Sequence, residues 1–223
     1  MKKSVVFILI LLLFPIISAV EFDMKTDFSQ GETLIAKVSG NFLTPVTNEN
    51  IFFYRGHERI SMESNVLSIE DEFYIYALLS GKSQDNYSIS IENVKYMSGA
   101  KVTDDSIIKN FSITNKTADF SVKPGVVVAS EDFFVEIQNL QDRKLAVNVN
   151  TGTNTTQNNS REILISSSNS KEASITLKSG EIKRINFNLT KGEPGLQNIE
   201  LKTDNQIYEI PVYIPEGIKK NEE

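Results

Sequence analysis

The 223-residue chain has no cysteine and no tryptophan, and histidine occurs once, as His57. Without cysteine there is no disulfide framework, no thiolate zinc site, no cysteine nucleophile and no lipid-modified N-terminal cysteine. One histidine excludes multi-histidine metal centres, and no cofactor or metal is expected. Basic charge is short as well: 23 Lys and Arg stand against 29 Asp and Glu. The basic footprint of a nucleic-acid-binding protein, or of a polybasic membrane anchor, is therefore missing. Long apolar runs are confined to Val5–Ile17, about 13 residues interrupted by Pro15, where a spanning helix takes roughly 20. What remains is 40% apolar and 23% charged, enough to build ordinary hydrophobic cores.

Lys2 and Lys3, the apolar run, and the small residues Ser18 and Ala19 have the three-part layout of a signal peptide over residues 1–19, cleaved after Ala19. Retention as an anchor is the competing reading. Cleavage leaves no stable transmembrane span and predicts a secreted or cell-surface protein. Both halves of the remaining chain carry excess acid, and the absence of cysteine suits a prokaryotic envelope better than a small disulfide-stapled secreted domain.

Beyond the leader, apolar positions recur with period two and sustained helical spacing is missing, so the chain is all-β. The first half predicts strands at Phe22–Phe28, Thr33–Gly40, Asn50–Tyr54, Arg59–Met62, Phe73–Leu79, Asn86–Val94 and Ile107–Thr114. In the second, Phe133, Val135 and Ile137 alternate with polar neighbours, as do Leu145, Val147 and Val149. Further strands are expected at Ala173–Leu177, Ile182–Leu189, Leu196–Leu201 and Ile207–Ile214. Pro211 cannot donate to a ladder, which marks the last strand as an edge or a bulge. The polar triplet Asn115-Lys116-Thr117 reads as a short linker between two tandem β-sandwich domains, residues 20–116 and 117–216, followed by a flexible tail at 217–223. So short a linker implies end-to-end stacking with a restricted hinge. Thr151–Ser160, all Thr, Gly, Asn, Gln and Ser, reads as a mobile loop.

No catalytic constellation emerges. Gly81-Lys82-Ser83 lacks the earlier glycine of a phosphate-binding loop, where Tyr76 stands instead. The two Ser-x-x-Lys pairs, Ser98/Lys101 and Ser168/Lys171, match the number that composition alone yields. Glu70-Asp71-Glu72 and Asp104-Asp105 lack calcium-loop spacing. The turn around Tyr54, Arg55, His57 and Arg59, basic and flanked by an aromatic, is the candidate partner-binding site. Asn-x-Ser/Thr sequons place candidate glycosylation sites at Asn86, Asn110, Asn115, Asn154, Asn158 and Asn188. On a strand, residues two apart share a face. Asn86 with Ser88 and Asn110 with Ser112 should therefore face solvent while Tyr87 and Phe111 point inward.

Phe120-Ser121-Val122-Lys123-Pro124-Gly125, Phe133-Phe134-Val135-Glu136-Ile137-Gln138-Asn139 and Ser179-Gly180-Glu181 resemble immunoglobulin-like, cell-adhesion-related modules of bacterial and archaeal surface proteins. Asp85-Asn86-Tyr87-Ser88-Ile89-Ser90-Ile91 resembles the penultimate strand of such a sandwich, whose tyrosine anchors a corner. The resemblance implies two tandem immunoglobulin-like sandwiches with no catalytic residue to carry over. The expected role is that of a noncatalytic envelope protein, a structural spacer or a binding and adhesion module. Its partners would be envelope or surface proteins, with glycans as a second class. A carbohydrate-binding module using Tyr96 and Tyr213 is the alternative, and a carboxylate-dependent hydrolase with acids facing across an inter-domain cleft is the third.

Overall fold

The computed structural model describes residues 20–150, 155–156, 163–166, 173–188 and 194–216, and among these there is no α-helix. Residues 1–19, most of Thr151–Ser160 and the 217–223 tail lie outside the described residues, as do Asn154 and Asn158.

The N-terminal half contains β1 (Val20–Met24), β2 (Asp27–Gln30), β3 (Thr33–Gly40), β4 (Ile51–Arg55), β5 (Glu58–Ile60), β6 (Glu63–Ile69), β7 (Glu72–Leu78), β8 (Asp85–Ile91), β9 (Tyr96–Ser98), β10 (Lys101–Thr103) and β11 (Ile107–Thr117). They form two sheets, β1-β3-β7-β6 and β2-β11-β8-β4-β5, with β9 and β10 as a separate hairpin. The C-terminal half contains β12 (Phe120–Lys123), β13 (Val127–Val128), β14 (Phe133–Asn139), β15 (Leu145–Asn150), β16 (Thr155–Thr156), β17 (Ile163–Ser166), β18 (Ala173–Leu177), β19 (Ile182–Asn188), β20 (Gly195–Lys202) and β21 (Ile207–Ile214). Its sheets run β12-β14-β19-β17-β16 and β13-β21-β20-β15-β18.

The two halves begin alike. In each, the opening strand is divided between the sheets. Its first part pairs antiparallel with the next long strand, β1 with β3 and β12 with β14. Its second part pairs parallel with the last strand, β2 with β11 and β13 with β21. In the first half the sheet orders match the immunoglobulin arrangement of strands; in the second, β17 precedes β18 and lies parallel to β19, which departs from it. Alternation explains the packing: Val147 and Val149 are buried while Ala146 and Asn148 are exposed, so each sheet has one dry face. Phe28, Leu34, Val38, Phe53, Ile75, Ile89 and Phe111 belong to one apolar cluster. Phe120, Val122, Val135, Ile137, Val147, Ile185 and Leu201 belong to another. Each such side chain contributes roughly 1.5–3 kcal/mol when fully buried, which is how these cores form without tryptophan or disulfides.

Several expectations need correction. The strand expected at Phe22–Phe28 is broken at Lys25-Thr26, because the chain changes sheets there. The strand placed at Arg59–Met62 stops at Ile60, and a seven-residue strand follows at Glu63–Ile69. Its mixed Ser, Asn and Val sequence hid it, since most of its residues are half-buried and show no clean alternation. The β9–β10 hairpin was also unforeseen. Asn115-Lys116-Thr117, expected as an irregular linker, is the exposed end of β11, with Thr117 paired to Gln30. A strand wet on both faces carries no apolar pattern for sequence reading to find. Pro211 does stand at an edge: β13 meets β21 only at Val212 and Tyr213, leaving the outer side of β21 before them without a strand among the described residues.

Candidate functional site

Three surfaces are candidates: the β4–β5 hairpin tip, the outer face of its sheet, and the groove between the two halves. The tip is a two-residue turn, Gly56-His57, closing the pair Arg55–Glu58. Gly56 sits at φ +60°, the left-handed value that hairpins of this length require at their first central residue. His57 is exposed at the apex. Arg55 lies 3.4 Å from Glu58 and 3.9 Å from Asp85. Tyr54 points to the other face, where its hydroxyl donates to Glu92 at 2.9 Å. That bond to a carboxylate, with some burial, raises the Tyr54 phenol above its ordinary pKa. The Arg59 guanidinium stacks 3.7 Å from the centre of the Phe52 ring. Tyr54 and Arg59 are thus cross-strand neighbours on one face, while Arg55 alternates to the other and His57 caps the turn. Nothing at the tip provides a base held against a nucleophile.

The outer face of β8 and β11 is the feature that sequence reading left incomplete. Pairing in register sets Asn86 opposite Ser112 and Asn110 opposite Ser88. Two sequons therefore lie head to tail across one antiparallel pair. Both asparagines are exposed, while Tyr87 and Phe111, their middle residues, are buried and stack with centroids 5.6 Å apart. Ser112 donates to Asp27 at 2.6 Å and Thr26 donates to its other oxygen at 3.1 Å. These bonds, that from Ser112 foremost, hold the Asp27 carboxyl below its usual value. A depression of about 600 Å³ covers this face, lined by Asn86, Asn110, Asp27, Ser88, Thr26 and Gly56 among others. The alternation was legible in the sequence; that the two sequons are neighbours follows only from the pairing of β8 with β11. Asn115 is exposed farther along β11. Asn188 ends β19, and its side chain lies outside the described residues.

The groove between the halves holds about 510 Å³ and is lined by Asp23, Lys25, Glu32, Ile207, Glu209 and Pro211 among others. Glu32 is buried, and its oxygens accept from Lys25 at 2.6 Å and from the Ser29 backbone at 2.7 Å. This carboxylate is fixed as a structural acceptor. Beside the groove the halves are directly bonded. Thr33 donates its hydroxyl to Val122 O at 2.8 Å and accepts from Val122 N at 3.0 Å. The Thr33 amide donates to the Tyr208 hydroxyl at 2.7 Å, which donates to Phe120 O at 3.3 Å. An apolar seam of Ile69, Tyr74, Tyr76 and Val126, with Ile35 and Tyr213 against it, lies alongside.

Other candidates resolve into structure. Tyr96 is buried and packs on Phe42, and Tyr213 is half-buried against the seam, so neither offers the open ring of a sugar platform. Glu70 occupies the β6–β7 turn with φ 55°, and Glu72 pairs with Lys37 at 2.7 Å. Among the described residues no group of three or more acidic, histidine or cysteine side chains is placed to hold a metal. No helix among them is long and apolar enough to cross a membrane.

No protein-family model matches the chain, and no curated protein matches it in sequence. Among solved structures it is similar to a DUF4785 family protein from Legionella pneumophila, with 15% identity over 87% of this chain and 55% of that one, at a TM-score of 0.30. The N-terminal part of the bacterial S-layer protein SbsC gives 8% identity over 87% and 44%, at 0.32. The Yersinia pseudotuberculosis adhesin InvE gives 10% over 89% and 61%, at 0.30. The chain thus spans about half the length of the Legionella protein. Its class rests on its own sheets: an all-β protein whose first half has the immunoglobulin strand order and whose second half shares its divided opening strand.

Proposed function

We propose that the chain is an exported, noncatalytic cell-envelope protein in which two tandem immunoglobulin-like sandwiches form a stiff spacer that presents a binding or adhesion surface. The observation that carries this reading is the joint. Thr33, Val122, Phe120 and Tyr208 exchange buried hydrogen bonds between the halves. A seam of tyrosine and aliphatic side chains packs beside them. Gly125 sits so close that a Cβ there would lie 2.7 Å from Tyr76 Cβ. Two modules held this way transmit position, as a spacer must, instead of tumbling on a tether. In this reading the domains divide near residues 116–117, residues 1–19 direct export, and the hairpin tip of Tyr54, Arg55, His57 and Arg59 meets a partner protein of the envelope. Loop tips at the end of a sandwich are the usual place for such contacts.

Labelling intact source cells with a membrane-impermeant reagent tests the export half of the proposal. Labelled chain in the envelope or medium is expected; unlabelled chain in the cytosol overturns it. Small-angle scattering of the purified chain tests the spacer half. One elongated shape with a fixed longest dimension is expected, and a broad distribution of shapes defeats it.

A further inference from the structure

The two cross-paired sequons have no part in a spacer as such. Asn86 and Asn110 are diagonal neighbours on one wet face, since Asn86 pairs with Ser112 and Asn110 with Ser88. Diagonal positions on a sheet face stand about 7–8 Å apart. Both carboxamides line the same 600 Å³ depression, whose other walls include the small residues Thr26, Gly56 and Ser88. The buried rings of Tyr87 and Phe111 anchor the two sequons from below, so both asparagines stay turned outward.

We propose that this face is an N-glycan acceptor surface on which Asn86 and Asn110 share one place: on any molecule, one of them carries an oligosaccharide and the other does not. The inference rests on export in one respect, that the donor and its transferase work outside the cytosol. The donor is an oligosaccharide linked through phosphate to a membrane lipid. The asparagine amide nitrogen forms a bond to the anomeric carbon, the bond from that carbon to the phosphate oxygen breaks, the lipid phosphate leaves with the electron pair, and the proton the amide gives up passes through the transferase's base to the departing phosphate or to water. A saccharide stem leaving either side chain passes through this one depression, next to the other asparagine. A stem in place covers the neighbouring carboxamide. Asn115, exposed at the end of β11, lies outside this depression and borders a second one together with Asn86.

The test expresses the full chain behind a host's own secretory signal, in cells that transfer N-glycans, beside a reporter with a sequon known to be filled. Using the host's signal separates this test from the question of whether residues 1–19 export the chain. Intact mass and enzymatic release in heavy-oxygen water, which marks each formerly occupied asparagine, count the glycans per molecule. Molecules filled at Asn86 or at Asn110, with none filled at both, are expected. Asn86→Gln should raise occupancy at Asn110 about twofold if the sites otherwise share equally, because neighbouring sites are coupled. Ser88→Ala, which removes the sequon and leaves the amide, should do the same and guards against a folding effect of the first change. Doubly filled molecules overturn the proposal, and so does a filled reporter beside a chain empty at both positions.

Discussion

Tyr87 shows how one side chain can carry information from sequence to fold. It lies near the start of β8, its ring stacked on Phe111 and its hydroxyl donating to the Ser83 carbonyl four residues upstream at 2.9 Å. This is the corner expected from the Asp85–Ile91 motif, legible because donor and acceptor are local. Tyr87→Phe keeps the ring and deletes the bond, so stability should fall by about 1 kcal/mol, read as a lower urea midpoint at unchanged slope. Asp27 is the opposite case. Its partner Ser112 lies 85 residues away and no local pattern announces it. Because the folded carboxyl titrates below its ordinary value, its contribution to stability is present above that value, roughly 3.9, and disappears as pH falls through the folded pKa. Ser112→Ala should move the Asp27 titration, followed by NMR, back up toward that value. An unmoved titration would assign the shift to Thr26 instead.

At the scale of elements, strands with one dry face were readable and edges were not. β3 and β21 have the bounds that alternation indicated, because Leu34, Ala36 and Val38, or Tyr208, Ile210 and Val212, must all face a core. β6 escaped because it is an edge strand whose side chains are half-buried on both sides. What protects that edge is also nonlocal. The Asn48 side chain accepts from Val66 N at 2.7 Å and donates to Asn65 Oδ1 at 2.8 Å, so it stands where another strand would pair. Exposed backbone donors of this kind invite edge-to-edge association. Asn48→Ala should therefore speed hydrogen exchange at the Val66 amide, with exchange in β3 unchanged, and should raise the tendency of concentrated protein to self-associate. Equal acceleration across the sheet would instead mean that Asn48 supports the whole fold. The head-to-tail sequons follow the same logic, since the facing of each residue came from period two and their adjacency from strand order.

For the molecule as a whole, the sequence indicated two units and a tight connection between them, but placed the connection in Asn115-Lys116-Thr117. The structure puts it in side chains far from that triplet, above all Thr33 and Tyr208. Thr33→Val is close to isosteric and leaves Val122 N and O without their partner in a buried joint, a loss of about 1–3 kcal/mol. If the joint couples the halves, the variant should also broaden or split the thermal transition, because each core can then unfold on its own. Tyr208 adds a dependence on pH. Burial, foremost, pushes its phenol above the ordinary value, with the nearby Glu32 charge acting in the same direction. The folded chain therefore keeps this proton where the unfolded chain loses it. The contribution is intact below roughly pH 10 and declines as pH rises beyond it. Tyr74, at the seam, is raised as well, chiefly by burial, and steepens the same slope. Urea midpoints of the native chain should thus drop above about pH 10, with the joint failing as tyrosinate absorbance appears. Tyr208→Phe should start lower at neutral pH, because the Thr33 amide loses its acceptor, and should then decline less steeply in alkali. A variant that keeps the full alkaline slope would place the titration in other tyrosines and remove Tyr208 as the link between the pH response and the rigidity of the joint.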